Sequence, residues 1–313
     1  MAGERVGLGH GKLLLFGEHS AVYGYPACGL TLSTSLRLRI LDNPQNDWQL
    51  PDIDDRDCRL LTDFLAVMTP NLPVDCRRPG EIRVDSDIPQ GMGFGSSAAW
   101  CVAFVRAMLG SEVAVDGIWE AAHRAEAFFH GTPSGIDTGL SVLDGLYAFA
   151  PAPPALPGAR RLDGFPLHFL IGAAPRAGST HGLVAGLRER IESGDGDAWG
   201  VIERLGKLSA EAIGVLAEGD SANVTELGRL ADAAHQELAN LGLSTSYVDQ
   251  LLRLGRESGA VGGKLSGAGG GGAFYLLFKD PETADAAHRS LSAVRTGNGS
   301  GEVTLFRFSW VPE

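Results

Sequence analysis

Three glycines alternate within Pro89-Gln-Gly-Met-Gly-Phe-Gly-Ser-Ser-Ala-Ala99, and an apolar run from Trp100 to Leu109 follows before Gly110. No other stretch limits the possible folds as tightly. Glycine reaches backbone conformations that other residues resist, and it lets main-chain N–H groups approach a neighbour closely. The pattern predicts a glycine turn feeding a helix that begins near Ser96. The first N–H groups of such a helix have no partner within it and lie at the positive end of its dipole, where a phosphate is readily held. Neither well-known phosphate motif is present. A Walker loop requires a lysine that is missing here, and Ser97 and Ala98 occupy the place of the third glycine of the dinucleotide fingerprint. Taken alone, the segment can also be read as a plain turn before a core helix.

Three further segments carry chemistry-bearing residues. Gly262-Gly-Lys-Leu-Ser-Gly-Ala-Gly-Gly-Gly-Gly272 precedes an apolar strand, Ala273–Phe278. Four consecutive glycines are costly in chain entropy, so close backbone approach to a ligand or to the first glycine loop is one reading and a hairpin connection the other. Gly11-Lys-Leu-Leu-Leu-Phe-Gly-Glu-His19 runs a strand into a glycine turn that carries Glu18 and His19. Glu126-Ala-Phe-Phe-His-Gly-Thr-Pro-Ser-Gly-Ile-Asp137 sets one carboxylate on a helix and another after a Pro-Ser-Gly turn. Two such carboxylates can divide phosphoryl transfer, one holding magnesium and the other receiving a hydroxyl proton. Asp137 can alternatively cap a helix over Thr138–Val142. His123, Glu126 and His130 share a helical face, but neither H-E-x-x-H nor H-x-x-E-H is present, so packing or hydrogen bonding suits the histidines better than a transition metal.

Composition narrows the function classes. The 313 residues allow one large domain or two medium ones, and 44% hydrophobic residues suffice for a full core. No apolar run is long enough for a membrane span, and the N-terminus shows no signal-peptide pattern. A formal net charge of −12 argues against nucleic acid as a general partner. The four scattered cysteines, without a Cys-x-x-Cys pair, read as reduced thiols of a cytoplasmic protein.

Strands are expected at Lys12–Phe16, Leu36–Leu41, Glu81–Ile88 and Leu146–Ala150, a surface loop over Asp42–Asp57 and a helix over Asp116–His130. The Pro-rich stretch Pro151–Gly158 marks the boundary between a domain at 1–158 and another at 159–313. The second half is expected to open on a strand at Leu167–Gly172, run helical from Thr180 to Ser258, and close on strands at Ala273–Phe278 and Val303–Trp310.

Together the segments resemble the three motifs of the galactokinase, homoserine kinase, mevalonate kinase and phosphomevalonate kinase (GHMP) superfamily, which match Gly11–Tyr25, Pro89–Ala99 and Lys264–Gly272 in order. Within it, Gly11–Gly24, His130–Asp137 and Gly178–Gly186 are most similar to mevalonate kinases. The resemblance implies an α+β, two-domain architecture: an N-terminal domain like the second domain of ribosomal protein S5 and a ferredoxin-like C-terminal domain. It implies an ATP- and Mg2+-dependent kinase acting on the 5-hydroxyl of mevalonate, in isoprenoid biosynthesis, and often a homodimer. By the same resemblance Asp137 and Lys12 are catalytic. Glu18, His19 and Thr180 border the acceptor. Pro89, Gly91, Gly93, Gly95, Ser96, Ser97, Ala98, Gly267 and Gly269 hold the nucleotide. Glu126 and a serine of the Ser96-Ser97 pair, with Ser97 the first choice, hold magnesium.

Two departures bear on this. Gly9-His-Gly-Lys12 replaces the usual Ala-Pro-Gly-Lys, and Phe94 replaces a leucine, which would put a larger group near the nucleotide. A different acceptor (phosphomevalonate, a sugar or homoserine) is the main alternative. A phosphorylated one would need extra cations, for which Arg176, Arg188 and Arg190 are candidates. A catalytically silent nucleotide-binding protein is the alternative of another class, and it would be expected to lack the charged set.

Overall fold

The computed structural model describes residues 3–51, 53–152, 155–176, 180–292, 294 and 303–312, with the side chains of residues 55, 56, 180 and 181 left aside. In chain order the elements are β1 (Glu4–Phe16), β2 (Ala27–Leu41), α1 (Asp55–Met68), β3 (Glu81–Ser86), α2 (Ser96–Leu109), α3 (Val115–His130), α4 (Ile136–Val142), β4 (Leu146–Ala152), β5 (Ala155–Arg161), β6 (Leu167–Ala174), α5 (Thr180–Glu192), α6 (Gly196–Glu218), α7 (Val224–Asn240), α8 (Ser246–Glu257), β7 (Gly262–Leu265), β8 (Gly272–Phe278), α9 (Pro281–Leu291) and β9 (Thr304–Trp310). One sheet has the order β1-β2-β4-β5, with β3 also paired to β2; the other has the order β7-β8-β6-β9. Among the described residues, no helix is long and apolar enough to cross a membrane.

Two compact units share the chain without dividing it into consecutive halves. The first contains residues 1–12, 31–89 and 95–144; the second contains 13–30, 90–94 and 145–313. The expected boundary at Pro151–Gly158 is not a linker. β4 and β5 pair antiparallel across it, with Ala150 opposite Gly158 and Ala152 opposite Ala155. An edge strand such as β5 tolerates proline and glycine because one of its sides needs no ladder bonds.

In the first unit, α2 is buried continuously from Ala98 to Val105. Phe64 of α1 gathers Trp100 and Phe104 of α2 and Phe128 and Phe129 of α3, with ring centres 5.3–6.2 Å apart. β1 lies so close to α2 that a Cβ on Gly9 would stand 2.0 Å from the Ala99 carbonyl oxygen, and one on Gly7 1.8 Å from that of Ala103. This is the physical reason for glycine at position 9, where the family motif usually has another residue. Arg106 ties the same elements together, donating to the carbonyls of Leu8 and Val142.

In the second unit, the antiparallel pairings β7–β8, β8–β6 and β6–β9 build the sheet. Phe169, Phe274 and Tyr275 are buried in its core. Helices α7, α8 and α9 pack on these strands. The α8 and α9 starts follow capping rules: Thr245 accepts from the Val248 N–H, and Asp280 accepts from that of Thr283, with Pro281 in the first turn.

Candidate active site

Lys12 ends the first unit's share of β1, with its side chain running past Gly95. A Cβ on Gly95 would lie 2.6 Å from Lys12 Cγ, and Gly95 has φ +82° as the N-cap of α2. Both facts demand glycine. The ammonium of Lys12, 4% exposed, meets Asp137 Oδ1 at 3.0 Å; the Asp137 side chain is 37% exposed. Asp137 sits in the first turn of α4, whose N-cap is Gly135, so Asp137 does not cap the helix. The turn before it is held by Trp119 Nε1 and Thr138 Oγ1, both donating to the Gly135 carbonyl.

Glu126 of α3 is 1% exposed, and among the described residues neither carboxylate oxygen has a hydrogen-bond partner, the nearby Thr138 hydroxyl being donated to Gly135. Its pKa is pushed up to about 8, chiefly by removal from water and then by the Asp137 charge, with Lys12 opposing. One turn on, His130 Nε2 lies 3.0 Å from Ser97 Oγ. The helical face shared by Glu126 and His130 therefore serves two different partners: Glu126 lies in the field of Lys12 and Asp137, and His130 bonds a serine at the start of α2. The Ser96, Ser97 and Ala98 amides lie in the uncapped first turn of α2, whose first intrahelical bond is Ala99 N–H to Gly95 O. Ala98 itself is fully buried and can offer only its amide. Pro89, half-buried, has no N–H to give.

In the second unit, Gly17 (φ +111°) turns the chain into Glu18 and His19. Glu18 is closed off from solvent in an ion pair with Lys264, their side chains 2% and 0% exposed. It does not present a free carboxylate to an acceptor. His19 takes φ +59°, and its Nε2 donates to the Ala268 carbonyl at 3.2 Å; burial pushes its pKa down to about 4. Thr180 opens α5, but its side chain lies outside the described residues.

The two glycine clusters share a backbone signature. Gly91, Gly93 and Gly95 all have positive φ, as do Gly267 and Gly269 through Gly272. The second cluster does more than precede a strand: Gly262–Leu265 is itself strand β7, Gly272 opens β8, and the residues between form the β7–β8 hairpin connection. Arg176 lies against both clusters, its guanidinium 3.0–3.2 Å from where a Cβ would stand on Gly93 or Gly272. Arg188 and Arg190 are spent on Glu192 and Asp195. Phe94 is fully buried, edge-on to Phe306 with ring centres 5.1 Å apart. It is core, not a bulky group beside a nucleotide.

Sequence reasoning missed the pairing of Lys264 and the bond from His130 to Ser97. The signal for Lys264 was present: a lone lysine inside an apolar, glycine-lined strand is a buried charge in search of a counter-charge.

Family comparison decides the class. The family model described as "GHMP kinases N terminal domain" matches residues 60–145, and "GHMP kinases C terminal" matches residues 215–295. A mevalonate kinase of Pyrococcus horikoshii is 31% identical over 293 residues, covering 85% of this chain and 86% of that protein. The chain belongs to the GHMP kinase family. A mevalonate kinase of Thermococcus sibiricus is 29% identical over 321 residues, covering 94% and 93%. Among solved structures, L. major mevalonate kinase in complex with R-mevalonate superposes with a TM-score of 0.82 at 22% identity, covering 100% of this chain and 97% of that one. The GHMP assignment makes the protein an α+β, ATP-using kinase.

Proposed function

We propose that the protein transfers the γ-phosphoryl group of ATP to the 5-hydroxyl of mevalonate. The observation that carries the reaction class is the Lys12–Asp137 contact beside the buried, unpartnered Glu126. The acceptor follows from relatives named mevalonate kinase that span most of the chain.

Asp137 accepts the hydroxyl proton as the oxygen attacks the γ-phosphorus. The new O–P bond forms as the bond to the β-phosphate oxygen breaks, and ADP leaves with its charge. Lys12 stabilises the alkoxide as it develops and the charge on the transferring group. The amides of Gly91 to Ala98 and of Gly267 and Gly269 cradle phosphates. Magnesium fits the donor set, because a carboxylate buried without a hydrogen-bond partner is what a cation would satisfy. Glu126 and Ser97 would hold it, and it would neutralise phosphate charge. Four free cysteines accord with a cytoplasmic setting; a homodimer belongs to the same reading and is tested by sedimentation.

Coupled assays with mevalonate, phosphomevalonate, homoserine and galactose test the acceptor. Mevalonate should be turned over and the others poorly; turnover of another acceptor alone overturns the assignment. Asp137→Asn should lower kcat about 10²–10⁴-fold, the usual worth of a positioned acid or base.

A further inference from the structure

The proposed chemistry leaves one charged pair unused, and it is the most fully buried ion pair among the described residues. Lys264 Nζ donates to Glu18 Oε1 at 2.5 Å and to the Leu265 carbonyl at 2.7 Å. It lies 5.7 and 5.5 Å from the ring centres of Phe16 and Tyr275. Around this centre Ser266 Oγ donates to the Leu14 carbonyl at 2.9 Å, Tyr275 OH to that of Leu15 at 3.0 Å, and His19 Nε2 to that of Ala268.

Stability alone is a poor account of such a pair. Two charges taken out of water cost more than their attraction readily returns, and apolar residues of the same volume are often as stable or more so. What a charge-assisted bond supplies is direction, because it fixes both a distance and an angle. The β7–β8 hairpin needs direction. Gly267 and Gly269 through Gly272 all have positive φ. A run of glycines has no side chains with which to select one conformation from the many open to it.

We propose that Glu18 and Lys264 are a positioning pair that fixes the aim of the hairpin amides, by clamping the Leu265 carbonyl, at the start of the hairpin, onto the Leu14–His19 segment. The ordering of the hairpin stands independently of the acceptor; its effect on turnover rests on the kinase reading above. The pair itself touches no substrate.

The test is the double variant Glu18→Met/Lys264→Met, which replaces both charges by apolar groups of similar length. Its melting temperature should stay within a few degrees of the parent. Amide exchange at Ser266 and Gly270, whose N–H groups bond the Ala273 and Leu243 carbonyls, should become faster. The kcat should fall about tenfold to a hundredfold, the scale of an ångström-sized misplacement, with a much smaller change in KM for ATP. Exchange is read without substrate, so it reports on the pair even if mevalonate is the wrong acceptor. Unchanged exchange overturns the proposal, as does unchanged turnover with the parent enzyme's preferred acceptor. If the double variant does not fold, Glu18→Gln serves instead: it keeps the acceptor oxygen but loses the charge. It should show the same changes in smaller degree, and parental exchange and kcat would sink the idea.

Discussion

At the scale of residues, the candidate site is a problem in charge. Lys12 is nearly buried and stands by two carboxylates, Asp137 at 3.0 Å and Glu126 behind it. Lys12→Met removes the one cation named in this cluster, and kcat should fall by about 10²–10³-fold, as when a preorganised electrostatic group is lost; a near-parental rate would show that Lys12 only packs. Glu126 gives a pH signature. Its folded pKa, about 8, lies above the ordinary carboxylate value of 4.5, so the folded state holds a proton that the unfolded chain has released. Stability from this group is full below about 4.5 and is lost as pH rises through about 8. In metal-free protein, the stability of the parent relative to Glu126→Gln should decline from pH 5 to 8, as read by urea unfolding; a flat difference contradicts the buried, raised carboxyl. His19 runs the other way, its folded pKa of about 4 lying below the imidazole value of 6.5, so its share is lost on acidification instead.

At the scale of elements, close packing between β1 and α2 governs where Lys12 and Ser97 stand. Gly9→Ala would drive a methyl to 2.0 Å from a backbone oxygen. Overpacking of this kind costs about 1–3 kcal/mol or more, and the shift should lower kcat as well as the melting temperature. Gly186 in α5 is exposed with nothing near its Cβ position, so Gly186→Ala should instead stabilise by about 0.5–1 kcal/mol. The same melting experiment reads both signs. These packings explain which elements were legible. Helix α3, the largely helical run from Thr180 and the start of α2 were, whereas α1 and α9 were not. β1 was read only from Lys12 because glycines at 7, 9 and 11 interrupt its alternation, whereas it begins at Glu4. β2 was read only from Leu36 because Ala27–Leu32 is buried on both faces and so does not alternate. β7 is hidden inside the glycine cluster, where Gly262 must approach the Gly228 carbonyl of α7 and no apolar alternation can show. α1 begins within the expected Asp42–Asp57 loop. In the site, residue types near one another in sequence were found, such as Glu126 and Asp137. The contacts that join Lys264 to Glu18 and His130 to Ser97 depend on tertiary folding, and no local pattern encodes them.

At the scale of the molecule, a chain of net charge −12 must take up an anionic nucleotide through local groups. Ligand that binds only the folded state should therefore raise the melting temperature. At a hundred times its dissociation constant, an ATP analogue with magnesium should add about 2.7 kcal/mol. Glu126→Gln should keep part of the gain from the nucleotide and lose the part that depends on magnesium; an equal magnesium effect in both proteins would remove Glu126 from the metal site. The interleaved units bear on how the protein comes off the ribosome. Residues 13–30 belong to the second unit, and several of their partners, Lys264, Ser266 and Tyr275, are made near the end of the chain. Glu18 precedes Lys264 by 246 residues. At about 5–20 residues per second, its carboxylate waits about 12–50 s for its counter-charge. During that time the Leu14 and Leu15 carbonyls also wait for the Ser266 and Tyr275 hydroxyls, which leaves part of the apolar Leu13–Phe16 run open to a holdase.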